Sequence, residues 1–91
     1  IDIRDAVELQ REGSIKNSFH ISRGLLEFSV HPDSPYAQKV KLDPNKELVL
    51  FCAAGGRSAL AAKTLKEMGF EKVSHIEGGF AAMKDSGFET N

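Results

Sequence analysis

Leu48-Val49-Leu50-Phe51 is an unbroken apolar run. Four apolar residues in succession, with no polar face, suit a strand covered on both sides, as in a parallel sheet sandwiched between helices. The run ends at Cys52. Then come Ala53-Ala54-Gly55-Gly56-Arg57 and a helical pattern starting near Ser58, in which Ala61, Leu65 and Met68 recur at i, i+4 and i+7 before Gly69 closes it. A buried strand, a glycine-rich loop and a helix in this order restrict the chain to an α/β architecture.

The flanking segments agree with that class. Residues 1–3 alternate apolar and acidic and read as the end of a buried strand. Asp5 and Glu8 have the spacing of a capping box, predicting a helix over Ala6 to Glu12 that Gly13 terminates. Residues 18–21 favour a short strand, and Leu25, Leu26 and Phe28 are expected on the buried face of a helical turn. The stretch from His31 to Pro44 holds all three prolines and reads as a long surface connection around a short helix at residues 36–40, with a turn at Asp43-Pro44-Asn45. A further strand over residues 73–76 precedes Gly78-Gly79 and a last helix over residues 80–84. Alternating strands and helices predict a mostly parallel central sheet flanked by helices in three layers.

Composition removes several classes of function. With 12 Lys and Arg against 13 Asp and Glu in 91 residues, the net charge of −1 offers no electrostatic case for nucleic acid or an anionic membrane as partner. No apolar run approaches the ~20 residues of a membrane span, and the profile fits a single domain in a reducing cytosol. One cysteine makes no internal disulfide, and His20, His31 and His75 lack metal-ligand spacing, so neither a structural metal nor a cofactor is expected.

The chemistry concentrates at Cys52. In open α/β sheets ligands bind at the carboxyl ends of strands, opposite helix N-termini. Consecutive glycines let successive N–H groups turn inward as an anion-binding nest, the helix adds partial positive charge, and Arg57 adds a full one. Such surroundings lower a cysteine from its free value of about 8.5 into the range of about 3.5 to 7.5. A lone cysteine at a strand end is ordinarily a small buried hydrophobe, but the Gly-Gly-Arg loop and the helix turn the reading toward a nucleophile.

Cys52 to Ser58, C-A-A-G-G-R-S, resembles the active loop of the rhodanese-like domains. The resemblance extends to Ile1-Asp2-Ile3-Arg4, to Glu8 with Gly13-Ser14-Ile15, and to Gly69-Phe70, Val73 and Glu77-Gly78-Gly79-Phe80. Ser14, Lys16-Asn17 and Met83 depart from the family's usual His, Pro-Gly and Trp, and the family's first helix and strand have no counterpart in residues 1–91. The resemblance implies a sulfurtransferase with Cys52 as nucleophile. It implies Ala53, Ala54, Gly55, Gly56, Arg57 and Ser58 as the substrate cradle. The partners it implies are a small thiosulfate-like donor and an external thiol or cyanide acceptor. Arg57 either binds the donor's oxyanion or braces the loop through a carboxylate such as Asp2 or Glu77.

Two other functions are weighed against this one. Related phosphatases resemble this loop but carry five residues between Cys and Arg, where this chain has four. A binding or regulatory module of the same fold commonly lacks the cysteine that is present here. Among the remaining candidates, His20, His31 and His75 are expected to pack at the surface or on strands, with the pocket mouth as a lesser alternative for His75, just before the Glu77-Gly78-Gly79 turn. Arg23 is expected as an exposed loop cation and Asp2 as a buried acceptor.

Overall fold

A computed structural model of the chain describes residues 1–40 and 46–91. Its elements are helices α1 (Ala6–Glu12), α2 (Arg23–Val30) and α3 (Pro35–Val40), strand β1 (Leu48–Leu50), helix α4 (Gly56–Glu67), strand β2 (Val73–His75) and helix α5 (Gly79–Asp85). The turn expected at Asp43-Pro44-Asn45 lies outside the described residues. Among the described residues no helix is long and apolar enough to cross a membrane.

The sheet is parallel at its centre. β1 pairs with β2 in the register Leu48 to Val73 and Leu50 to His75. On its other side Phe51 bridges Asp2, which bridges His20, both parallel. The segments expected as strands at 1–3 and 18–21 are therefore present only as single bridges. Their backbones still bond across: Ile3 N–H donates to Phe51 O at 2.9 Å and Ile21 N–H to Asp2 O at 3.0 Å.

Successive strand residues face opposite sides, and β1 with the two residues after it uses both. Leu48, Leu50 and Cys52 join Ile3, Leu26, Val30, Ala61, Ala62, Leu65 and Val73 in one core, beneath α2 and α4. Phe51 joins Ile15, Phe80 and Met83 in a second core, beneath α5. Two apolar layers around one sheet give the expected three-layer arrangement. The unbroken apolar run at 48–51 follows from it.

The helices depart from expectation in two places, the buried face of α2 and the start of α4. On α2 the buried face is Leu26, Ser29 and Val30, whereas Leu25 and Phe28 are about half exposed. Leu25 and Phe28 share the adjacent face, and Phe28 packs against Tyr36 of α3 with ring centroids 5.2 Å apart and planes tilted by 51°. The short helix expected at residues 36–40 is present as α3, which starts one residue earlier at Pro35, a residue suited to a first helical turn. Helix α4 begins at Gly56, two residues before Ser58, because Gly55 O already accepts the Ala59 N–H at 3.1 Å. The substituted turn residue Asn17 takes a positive φ of 67°, a conformation asparagine tolerates better than most side chains.

Asp2 and Arg4 sit under the second core, both with no exposed surface. Asp2 accepts from Arg4 Nη2 at 2.8 Å, from Nε at 3.0 Å and from the Arg4 backbone N–H at 3.0 Å. The guanidinium also donates to Gly13 O at 2.8 Å and lies 4.0 Å over the Phe80 ring. Its Nη1 lies 3.6 Å from Glu12 Oε2. Asp2 is thus the structural acceptor expected, and Arg4 is its partner.

Candidate active site

The Cys52 loop runs from the end of β1 to the first turn of α4, and Cys52 lies buried under it at 1% exposure. The N-cap of α4 is Gly55, which has no side chain to satisfy the free N–H groups of the first turn. The cysteine sulfur supplies that function. Gly55 N–H donates to Cys52 Sγ at 3.2 Å and Ser58 N–H at 3.4 Å. Sulfur therefore occupies the position of an N-capping oxygen, at the positive end of a twelve-residue helix.

These contacts set the thiol's acidity. Burial is the largest single influence and pushes it up. Hydrogen bonds from the Ser58 hydroxyl and from the N–H groups of Ser58, Gly55 and Ala54 together outweigh burial, and the thiol lies below its ordinary value. Ser58 Oγ is 3.6 Å from Sγ, donates to Gly55 O at 3.2 Å, and stands 3.1 Å from His75 Nδ1.

The loop is also fastened from the far side. Phe80 N–H donates to Cys52 O at 2.7 Å and Ala81 N–H to Ala53 O at 3.3 Å, which seats the start of α5 directly on the loop. A Cβ on Gly79, whose φ is +58°, would overlap Cys52 O and come within 2.8 Å of the Ala53 carbonyl. The Gly78-Gly79 pair, part of the resemblance in sequence, permits this approach.

Arg57 is held by a carboxylate of α1. Its Nη1 and Nη2 donate to Glu8 Oε1 at 2.6 Å and Oε2 at 2.9 Å. The expected partners are both wrong: Asp2 is taken by Arg4, and Glu77 is exposed. Glu8 also accepts the Asp5 N–H at 3.2 Å, completing the cap of α1, so one carboxylate serves both helices. Hydrogen bonding to Arg57 holds Glu8 down at about 2 and holds Arg57 above its ordinary value.

Of the loop residues, then, Ala54, Gly55 and Ser58 bring donors to the sulfur, Ala53 anchors the loop to α5, Gly56 opens α4, and Arg57 braces α1. His20 Nε2 hydrogen bonds Arg4 O at 2.7 Å, His31 Nδ1 accepts the Asp33 N–H at 3.1 Å, and Arg23 is exposed. His75 is a candidate for the pocket mouth in sequence, but its pairing with Ser58, 17 residues away, is not legible there. Its place just before the Glu77-Gly78-Gly79 turn was the only signal.

A family model described as the Rhodanese-like domain matches residues 1–86. The chain belongs to the rhodanese-like family. Solved structures agree with that membership. A Rhodopseudomonas palustris protein, described as of unknown function and a possible tyrosine phosphatase, is 50% identical, with a TM-score of 0.89 over 99% of this chain and 67% of its own. A rhodanese-related protein from Thermoplasma volcanium is 28% identical, with a TM-score of 0.73 over 100% of this chain and 80% of its own. A rhodanese-like domain from an Anabaena protein shares the fold at 24% identity, with a TM-score of 0.78 over 99% of this chain and 93% of its own.

Proposed function

We propose that this rhodanese-like domain is a sulfurtransferase that carries a sulfane sulfur on Cys52, with a thiosulfate-like anion as donor. The observation that carries the proposal is the capping of α4 by the cysteine sulfur. The donors that stabilise a thiolate there are fixed before any substrate arrives. In the first half-reaction the Cys52 thiolate attacks the outer sulfur of thiosulfate. A bond forms between Sγ and that sulfur, the donor's S–S bond breaks, and sulfite leaves with the electron pair. Negative charge then rests on the outer sulfur of the persulfide. In the second half-reaction cyanide or a thiolate attacks that outer sulfur, giving thiocyanate or a new persulfide and returning the Cys52 thiolate. Residues 1–91 hold no second cysteine, so within them nothing else discharges the persulfide and an external acceptor is required.

The description of the Rhodopseudomonas palustris protein as a possible tyrosine phosphatase supplies a second reading. Two features favour sulfur. Four residues separate Cys52 from Arg57, a tighter loop than a phosphate ester needs, and both terminal nitrogens of Arg57 are engaged by Glu8. Incubation with thiosulfate, followed by intact-mass measurement, is expected to add one sulfur atom to the parent chain and none to Cys52→Ser. Thiocyanate formation is expected to fall to background in the same variant. A parent chain that neither gains sulfur nor turns over thiosulfate overturns the proposal, and Cys52-dependent hydrolysis of a phosphate ester selects the second reading.

A further inference from the structure

The Ser58 hydroxyl has one proton and three neighbours that compete for it: Gly55 O at 3.2 Å, Cys52 Sγ at 3.6 Å and His75 Nδ1 at 3.1 Å. The carbonyl only accepts. The imidazole nitrogen accepts when bare and donates when it carries a proton. With Nδ1 bare, it draws the hydroxyl proton toward β2 and away from the sulfur. With Nδ1 protonated, it occupies a lone pair of Ser58 Oγ, and the hydroxyl proton is left to the loop side, between Gly55 O and the Cys52 sulfur, of which a thiolate, being charged, is the stronger acceptor.

From this geometry we infer that His75 is a positioning residue for the nucleophile: an Nδ1–H of His75, held on Ser58 Oγ, directs the Ser58 hydroxyl to the Cys52 thiolate. His75 does not touch the sulfur and acts entirely through Ser58. Its ring is half-buried and borders an open groove of about 510 Å³ between α4 and β2, so protons exchange with solvent. The charged groups sharing that groove are Lys63, Lys66 and Glu67 of α4. β1 presents apolar Leu50 as the register partner of His75. The inference rests on Cys52 being a thiolate nucleophile, as proposed above, but requires no particular sulfur donor.

Because the chain has one cysteine, the ultraviolet absorbance of the thiolate, taken as the difference from Cys52→Ser at each pH to remove the tyrosine contribution, reports Cys52 and can be followed without substrate. In His75→Phe the thiol's titration midpoint is expected to rise by about half to one pH unit, the size of one lost or weakened hydrogen bond. His75→Ala repeats the measurement should the phenyl ring disturb packing. His75→Asn, whose amide N–H takes the place of Nδ1–H, is expected to restore most of the shift, which a merely space-filling role does not predict. In a Ser58→Ala background, His75→Phe is expected to move the midpoint no further. Parent and His75→Phe curves that superimpose overturn the inference. So does an undiminished shift in the Ser58→Ala background, which makes any influence of His75 independent of Ser58. A parent midpoint at the free-cysteine value overturns the thiolate reading itself and this inference with it, so the two failures are distinguishable.

Discussion

Gly55 and Gly56 are neighbours in sequence with opposite demands. Gly55 has a φ of +106°, and a Cβ there would lie 3.1 Å from the Gly78 backbone nitrogen, so its conformation and its surroundings both require glycine. Gly56 has open space around its Cβ position and opens helix α4. Gly55→Ala is therefore expected to cost about 1–3 kcal/mol in stability and to slow alkylation of Cys52 by displacing an N–H from the sulfur. Gly56→Ala is expected to be neutral or to stabilise by up to ~1 kcal/mol. Thermal unfolding and iodoacetamide kinetics on both variants check the pair. The sequence marks two glycines as one loop; which of them the loop needs depends on the nearby Gly78 backbone.

The helices carry the site through their ends. α4 offers its N-terminus to Cys52, α5 lays its first turn on the loop carbonyls, and α1 holds Arg57 through Glu8. The Glu8–Arg57 pair has a pH signature. The carboxylate is depressed from 4.5 to about 2 in the folded protein. The unfolded chain therefore takes up the proton first as pH falls. The pair's contribution is fully present above about 4.5 and is lost as pH drops toward 2. Glu8→Gln keeps a side chain able to complete the cap of α1 while removing the charge. The parent is expected to exceed this variant by about 1 kcal/mol above pH 4.5, a solvent-screened value. The gap is expected to close as pH approaches 2. Denaturant titrations across that range measure it, and a gap that widens in acid contradicts the assignment.

Across the fold, Asp2 and Arg4 join the sheet to the second core as a fully buried ion pair. Removing one charge leaves the other uncompensated in the interior, a loss of about 3–5 kcal/mol. In a domain this small that lowers the melting temperature by more than ~10 °C. Asp2→Asn is expected to unfold early while the molecules that remain folded keep the parent's rate. A selective loss of rate at unchanged melting temperature would assign Asp2 to the chemistry instead. The α/β class, the central strand, the extent of α1 and the Cys52 loop with its glycines and arginine were all readable along the chain. Each is specified by neighbouring residues: an unbroken apolar run, a cap three residues from its partner, a thiol beside N–H groups of its own loop. What sequence left open was pairing at a distance. Glu8 meets Arg57 across 49 positions and His75 meets Ser58 across 17, while the exposed Leu25 and Phe28 were mistaken for core. Local chemistry builds a strand, a cap or a nest from adjacent residues. Which carboxylate braces the loop, which imidazole reaches its hydroxyl and which helix face is buried follow from the order in which the sheet stacks its strands and the helices close over them.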